Sequence, residues 1–317
     1  MFTYIYSIFS TSFPKIMWLK IMILIIIIYI FVIFLNKFLL KPEYTEGFTQ
    51  QSRFLLKRNT DKYDEFYTNI YETIHSTIPR VNYELQTICS ITQANDRSVF
   101  LDVGSGTGYL VEQLTDLGFH AYGIDKSKSM IEYSENNYKN ANVKCGDVSE
   151  PMSYENNTFS HILCLYYTIY EINDKNAFFK NCYYWLQPGG YLIIHIVDKS
   201  KFNPIKNITQ NTKLYPILNS EINNSKSRIL NASVDFNDFT YKTNYDIKTT
   251  NEMIITETFV DTQTTHIRQN EHTVFMDDLD NMIELAKQSG FIPQGKMSLV
   301  KECMDEYQYI YFLERPI

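Results

Sequence analysis

The sequence predicts an α/β protein with a doubly wound, mostly parallel sheet of seven strands, an antiparallel insert, and a single transmembrane helix ahead of the folded domain. Short apolar runs alternate with helix-length amphipathic spacers between residues 98 and 197. This alternation breaks off between residues 199 and 276, and a helical segment with two further apolar runs follows. Alternating strands and helices of this kind bury a parallel sheet between two layers of helices.

Composition limits the classes of protein to consider. The chain has 317 residues, of which 44% are hydrophobic, enough to bury the core of a domain. Its formal net charge of −7 argues against a surface that attracts nucleic acid by general charge, so we expect no nucleic-acid partner. The 5 cysteines are odd in number and include no C-x-x-C pair, so neither disulfides nor a metal site is expected, and a reducing compartment fits best.

An apolar run near the N-terminus predicts the membrane anchor, assigned to residues 1–41. The run is unbroken from Ile21 to Leu35, and residues 16–37 as a whole supply about the 20 residues that a bilayer span requires. The leader is uncharged up to Lys15 and no A-x-A site follows, which argues against a cleaved signal peptide. A buried core helix is disfavoured because the run is apolar on every face.

Basic residues on the two sides of the run predict its orientation. Lys15 and Lys20 lie on one side, whereas Lys37, Lys41 and further basic residues follow on the other. The positive-inside rule then predicts a single-pass membrane protein whose C-terminal domain faces the cytoplasm. Residues 42–60 are polar and predict a tether, with the folded domain over residues 61–317.

Local patterns predict the elements of this domain. Phe66, Ile70 and Ile74 recur every four residues and predict a helix with one apolar stripe. Five short apolar runs predict strands buried on both faces. They are "SVFLDV" (98–103), "HAYGID" (120–125), "NVKCGD" (142–147), "FSHILCLYY" (159–167) and "GYLIIHIV" (190–197).

The second half of the domain follows a different pattern. Residues 199–232 are rich in Asn, Lys and Ser, and residues 233–276 predict extended strands, so the insert covers about 199–276. In "DDLDNMIELAKQSGF" an apolar helical face precedes Gly290, which we expect to end the helix. "GKMSLV" and "YQYIYFLER" predict the last two strands.

A glycine-rich turn follows the first predicted strand in "FLDVGSGTGYL", residues 100–110. Gly104, Gly106 and Gly108 allow backbone angles closed to other residues and let a ligand approach the main chain. A dinucleotide loop usually has the spacing G-x-G-x-x-G, whereas this loop is G-x-G-x-G after Asp102. A carboxylate at that position would repel a diphosphate and would suit a cationic ligand.

Four motifs in this order resemble those of the class I S-adenosylmethionine-dependent methyltransferases, over roughly residues 60–315. They are the glycine loop after Asp102, "YGID" ending at Asp125, "CGD" ending at Asp147, and "LQPGGYLII" before the fifth strand. Taken singly, Asp125 is an ordinary strand-end acid and Asp147 a helix cap. Their joint occurrence favours the family and its Rossmann-like methyltransferase fold.

The resemblance implies a site for S-adenosylmethionine as the cofactor. It implies that Asp102 reaches the methionine ammonium, that Asp125 binds both ribose hydroxyls, and that Asp147 accepts a hydrogen bond from the adenine amino group. The backbone of Val148 would read the ring edge. The full implied cofactor-binding set is Asp102, Gly104, Ser105, Gly106, Gly108, Asp125, Lys126, Asp147, Val148 and Leu165.

The end of the fourth strand, "CLYYTIYEI", is where the resemblance implies residues beside the transferable methyl group. Leu165 and Tyr166 would border the methionine part of the cofactor, with Tyr170 and Glu171 nearby. A base is required only if the acceptor must lose a proton beforehand, and His195 is a candidate. A lone histidine in "LIIHIV" is more often a core residue. The candidate catalytic residues are Tyr166, Tyr170 and His195.

Two further groups of residues are candidates for the acceptor side. Tyr67 and Tyr71 would close over the cofactor or else pack in the core. The loosely spaced His266, Arg268 and His272 would face the acceptor cavity from the insert.

The leading hypothesis is a membrane-anchored methyltransferase acting on a small-molecule, lipid-like or membrane-associated acceptor. No N-P-P-Y-like tetrapeptide follows the fourth strand, which argues against a nucleic-acid or glutamine amide methylase. One alternative is a scaffold protein that binds S-adenosylmethionine without catalysis. Another is a nicotinamide-dependent oxidoreductase, which the loop spacing and Asp102 disfavour.

Overall fold

The computed structural model describes residues 21–31, 50, 52–75, 77–202, 231–300 and 306–317. The chain divides into two compact units, Met1–Gly47 and Phe48–Ile317. In the first unit, residues 21–31 form helix α1, and all their side chains are exposed. Among the described residues, no helix has the length and apolar character needed to cross a membrane. The predicted span at residues 16–37 extends at both ends outside the described residues.

Twelve strands belong to the second unit in its described ranges, and they form two sheets. In chain order they are β1 (Phe54–Arg58), β2 (Val99–Val103), β3 (His120–Asp125), β4 (Val143–Cys145), β5 (Phe159–Cys164), β6 (Leu186–Val197), β7 (Asn231–Asp235), β8 (Phe239–Ile247), β9 (Glu252–Asp261), β10 (Ile267–Phe275), β11 (Ile292–Ser298) and β12 (Gln308–Glu314).

Seven helices accompany these strands in the same part of the chain. They are α2 (Glu65–Ile74), α3 (Thr77–Thr92), α4 (Tyr109–Asp116), α5 (Lys128–Asn137), α6 (Thr168–Glu171), α7 (Lys175–Trp185) and α8 (Leu279–Gln288). Gly290 follows α8 with φ +102, so its predicted role at the end of this helix is confirmed.

The large sheet has seven strands in the order β11-β12-β6-β5-β2-β3-β4. Strands β2 to β6 are parallel to one another. Strand β12 lies between β6 and β11 and is antiparallel to both. The chain moves outward from β2 through β3 to β4, then returns to the other side of β2 with β5. The predicted doubly wound sheet is therefore confirmed, and its order reverses at β2 and β5, where such sheets bind ligands.

Each face of this sheet is covered by apolar side chains. On one face Leu101 and Ile194 belong to a core that also contains Trp185 of α7. On the other face Phe100 and Ile193 pack in a second core with α3 and α4. Successive strand residues point to opposite faces, so both faces of the strand must be apolar.

The second sheet has five strands in the order β1-β10-β9-β8-β7. Strands β7 to β10 form an antiparallel meander, as predicted for the insert. The prediction of a tether over residues 42–60 was wrong for Phe54–Arg58, because this segment pairs in parallel with β10. Its half-buried "LLK" centre has the extended, partly apolar character of an edge strand.

Helix α2 covers the inner face of the second sheet. Its predicted stripe is confirmed, since Ile70 and Ile74 are buried and Phe66 packs against the same core. Tyr67 joins them, and Phe259 of β9 contributes from the sheet.

The glycine loop after β2 packs very closely against two other elements. A Cβ atom on Gly104 would lie 2.4 Å from Thr168 Cγ2, and one on Gly108 would lie 2.0 Å from Ser134 Oγ. Both glycines have positive φ, +68 and +82. These two positions therefore require glycine for conformation and for space, which fixes the turn against α5 and α6.

The substitution Gly108→Ala should destabilise the domain through both strain and overlap with Ser134. Gly118→Ala is the matched control, because Gly118 has φ +91 but nothing within 4 Å of its added Cβ. We expect urea unfolding to show a further loss of about 1–3 kcal/mol for Gly108→Ala over the control, the usual cost of overpacking. Equal losses in the two variants would contradict the close packing described for this loop.

Candidate active site

Two adjoining clefts open where β2, β3 and β5 end. The main cleft encloses about 830 Å³ when open solvent is included. The side cleft encloses about 440 Å³. The two clefts share the residues Tyr71, Gly104, Gly106, Tyr166 and Thr168.

Asp125, at the end of β3, connects the glycine loop to the next turn. Its Oδ2 accepts a hydrogen bond of 2.9 Å from the Gly106 amide, and its Oδ1 accepts one of 2.8 Å from the Ser127 amide. Burial raises the pKa of Asp125, and the two amides act in the opposite direction. Each carboxylate oxygen can accept a second hydrogen bond, so this side chain can receive two hydroxyl groups from a ligand in the main cleft.

Asp102, at the end of β2, lines the side cleft and is only 5% exposed. Burial raises its pKa well above the ordinary value; the charge of Asp125 adds to this effect, and that of Arg80 opposes it. A buried carboxylate of this kind gains most from a ligand that brings a positive charge. The predicted contact of Asp102 with the ammonium group of S-adenosylmethionine stays a prediction.

Arg80 is a site residue that the sequence reasoning missed. It lines the side cleft with Asp102, its Nη1 lies 2.9 Å from Glu84 Oε2, and its guanidinium carbon lies 4.0 Å from the centre of the Tyr166 ring. An acid and a base in one cleft match a zwitterion, such as an amino-acid end with ammonium and carboxylate groups. One feature of the sequence could have revealed Arg80: it stands four residues before Glu84, so the two share a helix face. The core residues Val81 and Leu85 directly follow them.

Gly106 differs from the other two glycines of the loop. A Cβ at Gly106 would meet only Tyr71 Cε1, at 3.9 Å, and Gly106 lines both clefts. Gly106 therefore gives a ligand access to the main chain, whereas Gly108 lines neither cleft and serves packing. Ser105 and Leu165 both line the side cleft, where the sequence predicted cofactor contacts.

The segment after β4 forms another wall of the main cleft. Gly146, Val148 and Lys126 line it. Asp147 lies beside this wall, with Oδ2 2.9 Å from Lys126 Nζ and Oδ1 2.7 Å from the Ser149 amide. Partial burial acts to raise the pKa of Asp147, but these two partners outweigh it and lower the pKa. The predicted adenine contact of Asp147 stays a prediction.

A further wall of the main cleft is formed by Tyr63, Tyr71, Tyr166 and Glu171. The Tyr63 hydroxyl donates a 2.6 Å hydrogen bond to Glu171 Oε1, and His272 Nε2 lies 3.1 Å from the same oxygen. Desolvation acts to raise the pKa of Glu171, but His272, Lys62 and Tyr63 together lower it far below the ordinary value. Glu171 is therefore an anion on the cleft wall.

Of the three predicted catalytic residues, only Tyr166 lies in the clefts. Its hydroxyl lies 3.0 Å from His75 Nδ1, and Tyr67 OH lies 3.1 Å from the other ring nitrogen. Burial lowers the pKa of His75 to about 3, so the imidazole is neutral. Tyr166 and Tyr167 have positive φ, +47 and +66, in a strained turn of the kind often found at functional sites.

Tyr170 and His195 belong to the core, which corrects their predicted catalytic role. The Tyr170 hydroxyl accepts a 2.9 Å hydrogen bond from the Val197 amide. His195 is 1% exposed, its ring lies 4.8 Å from that of Tyr167, and burial lowers its pKa to about 3. Neither residue lines the main or the side cleft. The alternative interpretation of His195 as a core histidine agrees with this position.

The other acceptor-side candidates divide in the same way. Tyr71 lines both clefts, whereas Tyr67 is buried behind it. His272 reaches Glu171, but Arg268 instead binds Asp64. Among the residues that the structure describes, no cluster of three or more His, Cys, Asp or Glu side chains could hold a metal ion.

Comparisons with known proteins agree with this geometry. Residues 101–194 match the family model described as a methyltransferase domain. A ubiquinone biosynthesis O-methyltransferase of Coxiella burnetii is 31% identical over 104 residues, which are 32% of this chain and 44% of that protein. A phosphoethanolamine N-methyltransferase of Plasmodium falciparum is 30% identical over 117 residues, 34% of this chain and 42% of that one. The match thus spans less than half the length of these relatives.

Solved structures share the fold. An S-adenosylmethionine-dependent methyltransferase from Clostridium acetobutylicum superposes with a TM-score of 0.58 at 16% identity, covering 78% of this chain and 99% of that one. DesVI of Streptomyces venezuelae gives 0.54 at 12% identity, covering 78% and 98%. The resemblance seen in the sequence is confirmed to this extent: residues 101–194 match a methyltransferase domain, and the folded domain has the Rossmann-like fold of these methyltransferases.

The substitution Asp102→Asn should stabilise the ligand-free protein at neutral pH. The folded state holds the proton of Asp102 more tightly than the unfolded state. Stability therefore falls as the pH rises from the ordinary pKa of an aspartate to the raised pKa, because only the unfolded state releases the proton in this range. We expect a higher melting temperature for Asp102→Asn at pH 7, by about 2–4 °C for each kcal/mol gained, and a smaller gain at pH 5.

The control for this prediction is Asp96→Asn, the same chemical change at an exposed turn. Thermal unfolding of both variants between pH 5 and pH 8 makes the comparison. A melting temperature for Asp102→Asn below that of the control at pH 7 would show that the protein already satisfies this carboxylate.

Proposed function

We propose that this chain transfers a methyl group from S-adenosylmethionine to a small-molecule acceptor. The observation that carries the proposal is the placement of two carboxylates, Asp102 and Asp125, on either side of a cleft-facing Gly106, with an open cleft beyond them. The methyltransferase family match over residues 101–194 supports the same reaction.

The cleft residues fit the parts of the cofactor. Asp125 can accept the two ribose hydroxyls, and the apolar Ile124, Met130 and Val148 line the wall where a base would lie. Asp102 and Arg80 in the side cleft suit the ammonium and carboxylate of the methionine end. S-adenosylmethionine, when bound, supplies an electrophilic methyl group on a positively charged sulfur.

The protein's own contribution is positioning and exclusion of water. The carboxylate of Glu171 is a weak base because its pKa is strongly lowered. His75 is a weak base as well, because burial lowers its pKa to about 3 and both its nitrogens face tyrosine hydroxyls. Catalysis here rests on holding the acceptor in line and out of water, which is sufficient for methyl transfer to an unprotonated nucleophile.

The names of the relatives support a small acceptor. One relative is an O-methyltransferase of ubiquinone biosynthesis, and another methylates nitrogen, as phosphoethanolamine N-methyltransferase. Both oxygen and nitrogen acceptors occur among them, so the names do not decide which atom of the acceptor receives the methyl group. A lipid-like acceptor is also compatible with the size of the main cleft.

We also propose that residues 16–37 anchor the chain in a membrane, with the methyltransferase domain on the cytoplasmic side. The support is the unbroken apolar run from Ile21 to Leu35 and the exposure of every described side chain in α1. We expect the full chain to resist carbonate extraction from membranes and a variant that begins at residue 42 to be released. Extraction of the full chain by carbonate would contradict the anchor.

The cofactor site predicts that Asp125→Asn weakens binding of S-adenosylhomocysteine, the demethylated cofactor, by about 10- to 100-fold. Loss of a hydrogen bond to a charged group costs about 1.5–3 kcal/mol. The Asn amide would also face a backbone N–H, either Gly106 or Ser127, so thermal unfolding must accompany the titration. Calorimetry measures the affinity, with Asp96→Asn as the control.

Turnover completes the test. We expect the wild-type chain to form S-adenosylhomocysteine when S-adenosylmethionine and a panel of small acceptors are supplied. Cofactor binding without turnover against the whole panel would instead favour the non-catalytic scaffold. Absence of any cofactor binding by the folded chain would overturn the proposed function.

A further inference from the structure

We propose that one wall of the main cleft, the surface formed by Tyr63, Tyr71, Tyr166 and Glu171, binds a positively charged ammonium group of the acceptor. This ammonium group serves recognition, because a protonated or quaternary nitrogen has no free electron pair with which to attack the methyl group; the nucleophile is an unprotonated atom elsewhere on the acceptor. This inference rests on the proposed function and specifies its substrate class as small molecules that carry an ammonium group.

The aromatic part of this surface follows from a four-residue repeat. Tyr63, Tyr67, Tyr71 and His75 lie on one face of α2 and the turn before it, with ring centres 5.7, 5.9 and 4.5 Å apart in succession. Tyr166 continues the series, 5.4 Å from His75. These rings are fixed against one another edge to face, so the cleft has a rigid aromatic wall.

Tyrosine rings in this wall already contact cations within the protein. Lys62 Nζ lies 4.6 Å from the centre of the Tyr63 ring, and Arg80 lies 4.0 Å from that of Tyr166. Tyrosine faces attract ammonium and guanidinium groups, and aromatic cages are a common way to bind quaternary ammonium ligands.

Glu171 adds a full negative charge to the aromatic wall. Its side chain is 38% exposed, and it stays ionised because Tyr63 and His272 both contact Oε1. The groups that stabilise it lie behind the wall: His272 Nδ1 is 2.9 Å from Lys62 Nζ, and Lys62 is 4% exposed and 3.9 Å from Glu257. The ammonium group of Lys62 is therefore buried and paired, whereas the carboxylate of Glu171 lines the cleft.

The remaining charges of the main cleft do not offset Glu171. The charged side chains lining it are Asp125, Lys126 and Glu171, and Lys126 is paired with Asp147 at 2.9 Å. The main cleft is therefore negative overall and repels an anionic acceptor head. A neutral hydroxyl group could donate one hydrogen bond to Glu171, whereas an ammonium group gains from the charge of the carboxylate and from the rings as well.

The test compares two probes of the same shape, choline and its neutral isostere 3,3-dimethyl-1-butanol. Calorimetric titrations use the full chain saturated with S-adenosylhomocysteine. We expect saturable choline binding and at least roughly tenfold weaker binding of the isostere, since a tenfold ratio needs only about 1.4 kcal/mol of charge preference. Equal binding of the two probes, or no choline binding, would overturn the inference.

Variants locate the choline site. We expect Glu171→Gln to weaken choline binding at least roughly tenfold, and Glu155→Gln, at an exposed turn, to leave it unchanged. Unchanged choline binding in Glu171→Gln would overturn the inference. If Glu171→Gln does not fold, the two-probe comparison on the wild-type chain decides alone.

The same titrations separate this inference from the proposed function. A wild-type chain that does not bind S-adenosylhomocysteine contradicts the proposed function. If the chain binds S-adenosylhomocysteine but does not distinguish choline from its isostere, the result contradicts only the inference that the acceptor carries an ammonium group.

Discussion

The carboxylate of Asp125 holds together the two strand ends from which the site is built. It accepts hydrogen bonds from Gly106, in the loop after β2, and from Ser127, in the turn after β3. Backbone bonds hold the same loop to β3, since the amides of Gly104 and Ser105 both donate to the carbonyl oxygen of Ile124. Asp125 also lines the main cleft, so a residue that shapes the site is also one that the proposed function assigns to the ligand.

The three carboxylates of the two clefts are in different electrostatic states. Asp102 lines the side cleft, whereas Asp125 and Glu171 line the main cleft. Burial raises the pKa of both aspartates, whereas buried basic partners lower that of Glu171. In the proposed function a cationic cofactor would relieve the desolvation of the aspartates, while Glu171 would offer the acceptor a charge that the protein has already stabilised.

Local patterns predicted most of the large sheet. Strands β2, β3 and β6, the glycine loop and the stop at Gly290 all depend on residues adjacent in sequence, and the structure has each of them. The three loop glycines looked equivalent in the sequence, yet Gly104 and Gly106 line the clefts whereas Gly108 does not, and Gly106 alone of the three has room for a Cβ atom. That distinction depends on Thr168 and Ser134, which come from other elements.

Features that depend on distant residues were not predictable in this way. β1 exists because Phe54–Arg58 meets β10, more than 200 residues later. The contact between Glu171 and His272 likewise joins distant parts of the chain, helix α6 and strand β10 of the second sheet. Strand alternation cannot tell which inward-facing residue borders a cleft, so His195 was a candidate base although it lies in the core. The helical Arg80–Glu84 pair was visible, but its position beside Asp102 was not.

A crystal structure of the chain with S-adenosylhomocysteine tests the central claim most directly. It should show both hydroxyls of the ribose on Asp125, the ammonium group within hydrogen-bond distance of Asp102, and the sulfur directed towards the end of the cleft that holds Glu171. A ligand bound elsewhere, or these carboxylates turned away from it, would contradict the account.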